Sequence, residues 1–450
     1  MSDYSMRTKR AFENYTDLMG RVYPLKDDNG NIIIDKEYLS RVVTFQVTDA
    51  CNLACSYCYQ INKGTKVMKF EDAKKLIDML LTNDMKMNNY LHLDKCPAIV
   101  IDFIGGEPLL EIELIDKICD YFIDKAIELH HPWAIRHIFQ ITSNGVLYFD
   151  PKVQKFLDKR RLDLSLSITL DGNKDLHDSC RKFPDGRPSY DYALAAIKDY
   201  QKRGGYMGSK ITIAPGNLNF LYDAIVHMVE LGYKDINANV VFEKGWEPQH
   251  NLVFYNELKR IADYLLDGNY DDISCSLFEE FYFRPSTENG NWCGGTGNML
   301  SLDPDGFLYP CIRYMDSSLG GEQPAYFIGH VDTGIAQTEE EMQKVKCLNC
   351  ITRRSQSTDE CFYCPIATGC AWCSGYNYQV NGTPDSRVTY ICDLHKARAL
   401  ANVYFWNKYY KKNKIKRIMP CNCPKEWALQ IISEEEYNML QGLTEEGKEC

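Results

Sequence analysis

From Val42 to about Gly268, short runs rich in β-branched and aromatic residues alternate with stretches whose apolar positions recur every three or four residues. The runs predict strands at Val42–Thr48, Ala98–Ile104, His137–Thr142, Asp163–Leu170, Lys210–Ala214 and Asp235–Phe242. The stretches predict helices near Glu71–Leu81, Glu113–Leu129, Pro151–Lys159, Tyr190–Lys202, Phe220–Leu231 and Asn251–Leu266. Regular strand–helix alternation argues for parallel βαβ units in an α/β fold, and six repeats suit a partial (β/α)6 TIM-type barrel. Ligands in such folds gather at the carboxyl ends of the strands. After Asn269 apolar periodicity fades, and a segment rich in Gly, Cys and polar residues is expected to need metal to stabilise it.

The length, 450 residues at 45% hydrophobic composition, implies two or three domains. The predicted division is an N-terminal segment 1–41 with a turn at Asp28-Asn29-Gly30, a barrel 42–268, a Cys-rich region 269–410 and a tail 411–450. A net charge of −11 argues against a general nucleic-acid partner. The basic run Lys408–Arg417 and the acidic stretch around Glu434–Glu449 read as a solvated terminal helix. With no long apolar run and no apolar segment near the start, neither a membrane span nor a secretory signal is expected, and the predicted compartment is cytoplasmic.

Nineteen cysteines in a reducing compartment point to metal or catalysis rather than disulfides. Most of them lie between Cys293 and Cys423. A separate trio, Cys51, Cys55 and Cys58, follows the first strand with the spacing C-x3-C-x2-C. Three thiolates on one short loop can hold three irons of a [4Fe–4S] cluster, leaving the fourth iron open. Zinc is the competing reading, but a structural zinc site is closed by four ligands and no fourth lies near in sequence.

That spacing, with Tyr57 before the last cysteine, resembles the signature of the radical S-adenosylmethionine (SAM) superfamily. The resemblance implies that SAM chelates the open iron and is cleaved to a 5′-deoxyadenosyl radical that abstracts a hydrogen atom. Gly105-Gly106-Glu107-Pro108 resembles the family's GGEP motif, whose backbone and Glu meet the SAM amino group; glycines allow close approach and an acceptor suits an ammonium. Ser143-Asn144-Gly145 is similar to a segment near the methionine part of SAM. Ile168-Thr169-Leu170-Asp171-Gly172 resembles an ISLDG segment, with Thr169 supplying the hydroxyl for a ribose contact. Arg181 matches an arginine that pairs with the SAM carboxylate, although Asp171 and Arg181 can equally form a structural salt bridge.

Farther on, Cys293, Cys311, Cys361, Cys364, Cys370, Cys373 and Cys392 are spaced similarly to a SPASM domain, which binds two auxiliary [4Fe–4S] clusters. The gap between Cys370 and Cys373 is one residue shorter than the family pattern. The resemblance assigns Cys293, Cys311 and Cys373 to the first auxiliary cluster, and Cys361, Cys364, Cys370 and Cys392 to the second, giving three clusters in all. Met299 stands where some relatives supply a fourth ligand to the first, so either that iron is open or the extra pair Cys347-x2-Cys350 contributes. Zinc ribbons are the alternative for these pairs. Cys96, Cys119, Cys180 and Cys275 read as buried small hydrophobes. Cys421, Cys423 and Cys450 receive no role.

Enzymes with this pair of modules mostly modify peptide or protein side chains. The resemblance therefore implies an oxidoreductase that cross-links a ribosomally made precursor peptide, for instance through a Cys thioether as in sactisynthases and ranthipeptide maturases, and draws electrons from a flavodoxin or ferredoxin. The alternatives are an anaerobic sulfatase-maturase-like enzyme, a radical dehydrogenase of small molecules, and a non-catalytic metal-stapled binding protein. In sulfatase maturases an Asp base follows the auxiliary cysteine, whereas Ile312 follows Cys311 here, with Asp303 and Asp305 nearby.

Overall fold

A computed structural model describes residues 15–16, 22–23, 40–82, 90–91, 93, 96–206, 208–286, 288–291 and 293–449. The predicted turn at 28–30, Cys450 and nearly all of the N-terminal segment lie outside the described residues. In chain order the barrel elements are β1 (Arg41–Thr48), α1 (Phe70–Leu81), β2 (Ile99–Gly105), α2 (Ile112–Glu128), β3 (His137–Ser143), α3 (Pro151–Lys159), β4 (Leu164–Ile168), α4 (Lys174–Cys180) and α5 (Tyr190–Lys202). They continue through β5 (Ile211–Ile213), α6 (Leu221–Glu230), β6 (Asp235–Ile236), β7 (Ala238–Val240) and α7 (Pro248–Asp267). Then come β8 (Ser274–Cys275), β9 (Met299–Leu302), β10 (Phe307–Tyr309), β11 (Gly329–His330), β12 (Gly334–Ile335), α8 (Glu339–Cys350), α9 (Ser374–Asn381), α10 (Cys392–Lys412) and α11 (Glu434–Glu449).

Strands β1 to β4 are parallel and adjacent in sequence order. Their period of two sorts the side chains. Val43, Phe45, Val47, Ile101, Phe103, Phe139 and Ile141 are buried in the main core. Opposite them the helices present amphipathic faces, such as Ile115, Ile118, Cys119 and Phe122 of α2. Cys96, Cys119 and Cys275 are buried as expected of small hydrophobes, but Cys180 is only half-buried.

The structure departs from the sequence pattern in three places. The sixth predicted strand, Asp235–Phe242, divides into β6 and β7, which pair with different partners: β7 with β5, and β6 with β8. Among the described residues no ladder joins β4 to β5, so the parallel sheet is interrupted there. Second, the Cys-rich region is not short of core. Its strand β9 pairs in parallel with β1, Ser301 opposite Thr44, and the antiparallel β10–β12 extend the sheet. Leu300, Leu302, Leu308, Tyr314 and Leu319 join the barrel's own core. Their apolar positions are too widely spaced to show as periodicity. Third, the terminal helices are docked rather than solvated. Lys408 pairs with Asp263 of α7 at 2.8 Å, and Glu436 of α11 accepts from Tyr255 at 2.6 Å and Lys259 at 2.5 Å. Among the described residues no helix is long and apolar enough to cross a membrane.

Candidate functional site

The trio sits on the loop that leaves β1. The loop is held against the end of β2: Gly106 N donates to Thr48 O (3.0 Å) and Glu107 N to Ala50 O (2.9 Å). A Cβ on Gly106 would fall 2.3 Å from Ala50 O and 2.7 Å from Cys51 Cβ, and one on Gly105 would fall 2.7 Å from Thr48 O. The space on the Cβ side of these glycines is taken by the cysteine loop itself. Farther along, Ala54 N donates to Lys182 O (2.7 Å) and Ser56 N to Cys180 O (2.9 Å).

Cys51, Cys55 and Cys58 are half-buried and face a cavity of about 770 Å³. Its far wall comes from Ala214, Pro215, Val241 and Glu243 beyond β5 and β7, and from Arg313, Ser318 and Gln379 of the Cys-rich region. Burial pushes the Cys51 and Cys55 thiols up, and Arg181, with Nη1 3.7 Å from Cys55 Sγ, opposes this for Cys55. Among the described residues no three Cys, His, Asp or Glu side chains converge as a single ion would require. A structural zinc is closed by four such ligands, whereas three thiolates on one loop match the cysteine ligation of an iron–sulfur cluster.

Behind the loop, the Glu107 carboxylate is 1% exposed. It accepts from Ser143 Oγ (2.7 Å), Leu109 N (3.1 Å) and Asn144 N (2.9 Å), and Pro108 opens a short 3-10 turn beside it. Asn144 Nδ2 in turn donates to Asn52 Oδ1 within the cysteine loop at 2.7 Å. Thr169 is buried next to this group, its N–H bonded to Ser143 O at 3.0 Å. The ends of β1 to β4 are thus tied into one unit.

Asp171, fully buried, accepts from Arg181 Nε (2.7 Å) and from the Tyr57 hydroxyl. Arg181 also lies over the Tyr57 ring, 5.4 Å from its centroid. Asp171 and Arg181 form a salt bridge. It clamps the tyrosine between the second and third cysteines.

A layer that sequence reasoning missed lies on the sheet face opposite Val43, Ile101 and Phe139. Ser301, Thr44, Asp102, Gln140 and Ser165 are register partners across five neighbouring strands. Thr44 Oγ1 donates to Asp102 Oδ2 at 3.3 Å, while Asp102 Oδ1 and Ser301 Oγ are buried without a partner. Burial raises the Asp102 carboxyl to about 6, against Thr44 and Lys210, and burial lowers the Lys210 ammonium. The available signal was one charged residue inside the apolar run Ile99–Gly105.

The later cysteines form two groups. Cys293 Sγ is 3.1 Å from Ser374 Oγ, and Cys311 Sγ lies 3.3 Å from where a Gly295 Cβ would stand, itself 3.4 Å from that hydroxyl. Cys373 adjoins Ser374 in sequence; burial pushes the Cys311 thiol up, with Cys373 and Cys293 adding to the rise, and burial pushes the Cys373 thiol up, with Cys293 adding to it against Arg313. In a second group burial raises the Cys364, Cys370 and Cys392 thiols, and Cys361 adds to the rise at each. Cys423, given no role from sequence, is buried within electrostatic reach of Cys364. Cys347 and Cys350 lie on α8; Cys347 interacts with Cys350, Asp385 and Tyr326, and Ile351 O, just past Cys350, accepts at 3.0 Å from Nδ2 of Asn291, two residues before Cys293. Met299 Sδ lies where a side chain on Gly294 would be, 2.4 Å from its Cβ position.

Residues 45–219 match the family model of the Radical SAM superfamily. The chain is 31% identical over 267 residues to an uncharacterized protein of Methanocaldococcus jannaschii, spanning 59% of this chain and 82% of that one. It is 22% identical over 413 residues to a serine-type anaerobic sulfatase-maturating enzyme of Bacteroides thetaiotaomicron, spanning 85% and 94%. The solved structure of native anSMEcpe with bound AdoMet and Kp18Cys peptide superposes with a TM-score of 0.56 at 16% identity, covering 84% of this chain and 99% of that one.

Proposed function

The chain belongs to the radical SAM superfamily, and on that premise we propose that it is a peptide maturase that cross-links side chains of a ribosomally made precursor. One observation carries the reading. A single cavity is bounded by the Cys51–Cys58 loop on one side and by Arg313, two residues from Cys311, on the other. A substrate segment held there would lie between two metal-binding thiol sets. Its volume, about 770 Å³, suits a bound small molecule with part of a peptide.

In this reading Cys51, Cys55 and Cys58 hold a [4Fe–4S] cluster whose open iron takes SAM, supplying hydrogen-atom abstraction. Glu107, Ser143, Asn144 and Thr169 set the loop and the SAM pocket, and the Asp171–Arg181 pair fixes Tyr57. Cys293, Cys311 and Cys373 hold one auxiliary cluster, and Cys361, Cys364, Cys370 and Cys392 hold the other, as in a SPASM domain. A flavodoxin- or ferredoxin-type carrier is the electron source. The peptide substrate is supported by the solved neighbour, which holds AdoMet together with a peptide.

The test is to incubate anaerobically reconstituted, reduced protein with SAM and a peptide encoded beside its gene. A product lighter by two hydrogens, with a thioether located by fragmentation, is expected. Unchanged mass for every neighbouring peptide, alongside SAM cleavage, overturns the cross-linking reading.

A second reading, formylglycine formation, is favoured by the 85% coverage by a sulfatase-maturating relative. Against it, Ile312 occupies the place of the base. Asp303 is engaged by Phe307 N (2.9 Å) and Tyr309 Oη (3.0 Å), and Asp305 by Lys66. An aldehyde-reactive probe on the treated peptide separates the two readings.

A further inference from the structure

Arg313 joins parts of the molecule that no sequence motif connects. Its Nη2 donates to Glu243 Oε1 at 2.9 Å, linking the Cys-rich region to the segment after β7. Its guanidinium lies 5.7 Å from the ring centroid of Tyr59, next to Cys58, and 5.5 Å from that of Tyr376. A cation placed over aromatic rings is more often arginine than lysine. Gly375 makes room for the arrangement, since a Cβ there would stand 2.6 Å from Arg313 Cβ. The Arg313 side chain is only 17% exposed. Arg313 stands two residues after Cys311, and Gly375, against which it packs, stands two residues after Cys373.

We propose that Arg313 is a positioning residue that sets the reduction potential of the group held by Cys293, Cys311 and Cys373, with Glu243 as its counterweight. The inference rests on the iron–sulfur reading of those three cysteines. Reduction adds negative charge to a cluster already surrounded by thiolates, and nearby fixed charge is one of the protein's means of tuning that equilibrium. A buried cation beside two of the thiols favours the reduced form. Glu243, on the cavity side of the same guanidinium, offsets part of that effect. A substrate group that draws Arg313 away from Glu243, or replaces the carboxylate, would therefore alter the potential from within the cavity.

The test is an EPR-monitored redox titration of the full chain, reconstituted anaerobically, with Cys51, Cys55 and Cys58 all changed to Ala so that only the auxiliary groups report. Arg313→Met is expected to move one auxiliary signal to a more negative potential, and Glu243→Gln to move the same signal to a more positive one. A tenfold change in the reduction equilibrium corresponds to about 59 mV for one electron. Arg313→Lys, which keeps charge but not stacking, is expected to fall between wild type and Arg313→Met. The other signal, whose Cys361 faces Arg387 at 3.6 Å, is expected to stay in place. A merely structural role would shift both variants the same way or not at all, and either result overturns the proposal. Should Arg313→Met fail to fold, the positive shift in Glu243→Gln decides alone. A parent with no signal at all, and with iron absent from the auxiliary cysteines, would instead remove the iron–sulfur reading on which the proposal stands.

Discussion

Asp102 shows how much one buried carboxylate can say. It sits on a sheet face with one oxygen bonded to Thr44 and the other unpartnered, and burial raises it to about 6. A group whose folded pKa lies above its unfolded value favours the folded state below the unfolded pKa, and that contribution is lost as pH rises through the folded one. Asp102→Asn is therefore expected to match wild type near pH 4. It is expected to gain on the order of 1 kcal/mol by pH 8, read from denaturant unfolding. His177 has the opposite sign. Burial lowers it to about 3 while Asp171 N donates to its Nδ1 at 3.2 Å, so its contribution is present above its unfolded pKa and disappears as pH falls toward 3. His177→Asn is expected to flatten the acid side of the stability curve. At the same scale, replacing Cys51, Cys55 and Cys58 together by Ala is expected to abolish SAM cleavage and remove about four irons per chain while leaving the auxiliary iron in place.

Among the elements, the end of β2 and the cysteine loop act as one piece. Gly106 admits the loop because it has no side chain, and a methyl there would meet Ala50 O at 2.3 Å. The Ala50 carbonyl cannot yield, since it is backbone held by the hydrogen bond from Glu107 N. Gly106→Ala is expected to cost about 1–3 kcal/mol by overpacking. It should also lower iron occupancy at the trio more than at the auxiliary sets, as iron analysis of the reconstituted protein would show. A glycine needed only for contact with SAM would leave iron occupancy unchanged.

For the molecule as a whole, β9 is the decisive element. It comes from the region that looked dependent on metal, yet it pairs with β1 over Met299–Leu302. A chain cut after Gly268 would leave β1 as an open edge beside the buried Val43, Phe45 and Val47. Such a fragment is expected to aggregate or bind hydrophobic dyes, whereas the full chain stripped of iron is expected to keep its far-UV spectrum. Light scattering and circular dichroism on the two samples would check this.

The sequence by itself determined the barrel's first four strands, the helices between them and the trio. These depend on local periods and short spacings, which are written along the chain: Pro151–Lys159 and Tyr190–Lys202 are helices over the very residues the pattern predicts. The later cysteines were legible as candidate ligands from their spacing, while their division into two sets came from the resemblance to a SPASM domain. Only the tertiary structure decided where β9 pairs, that Asp235–Phe242 splits between two partners, that Asp171 holds Arg181, and that Asp102 and Arg313 face the interior. These depend on residues from ten to more than two hundred positions apart. Packing and charge act across space, and a linear pattern carries no record of which distant segments meet.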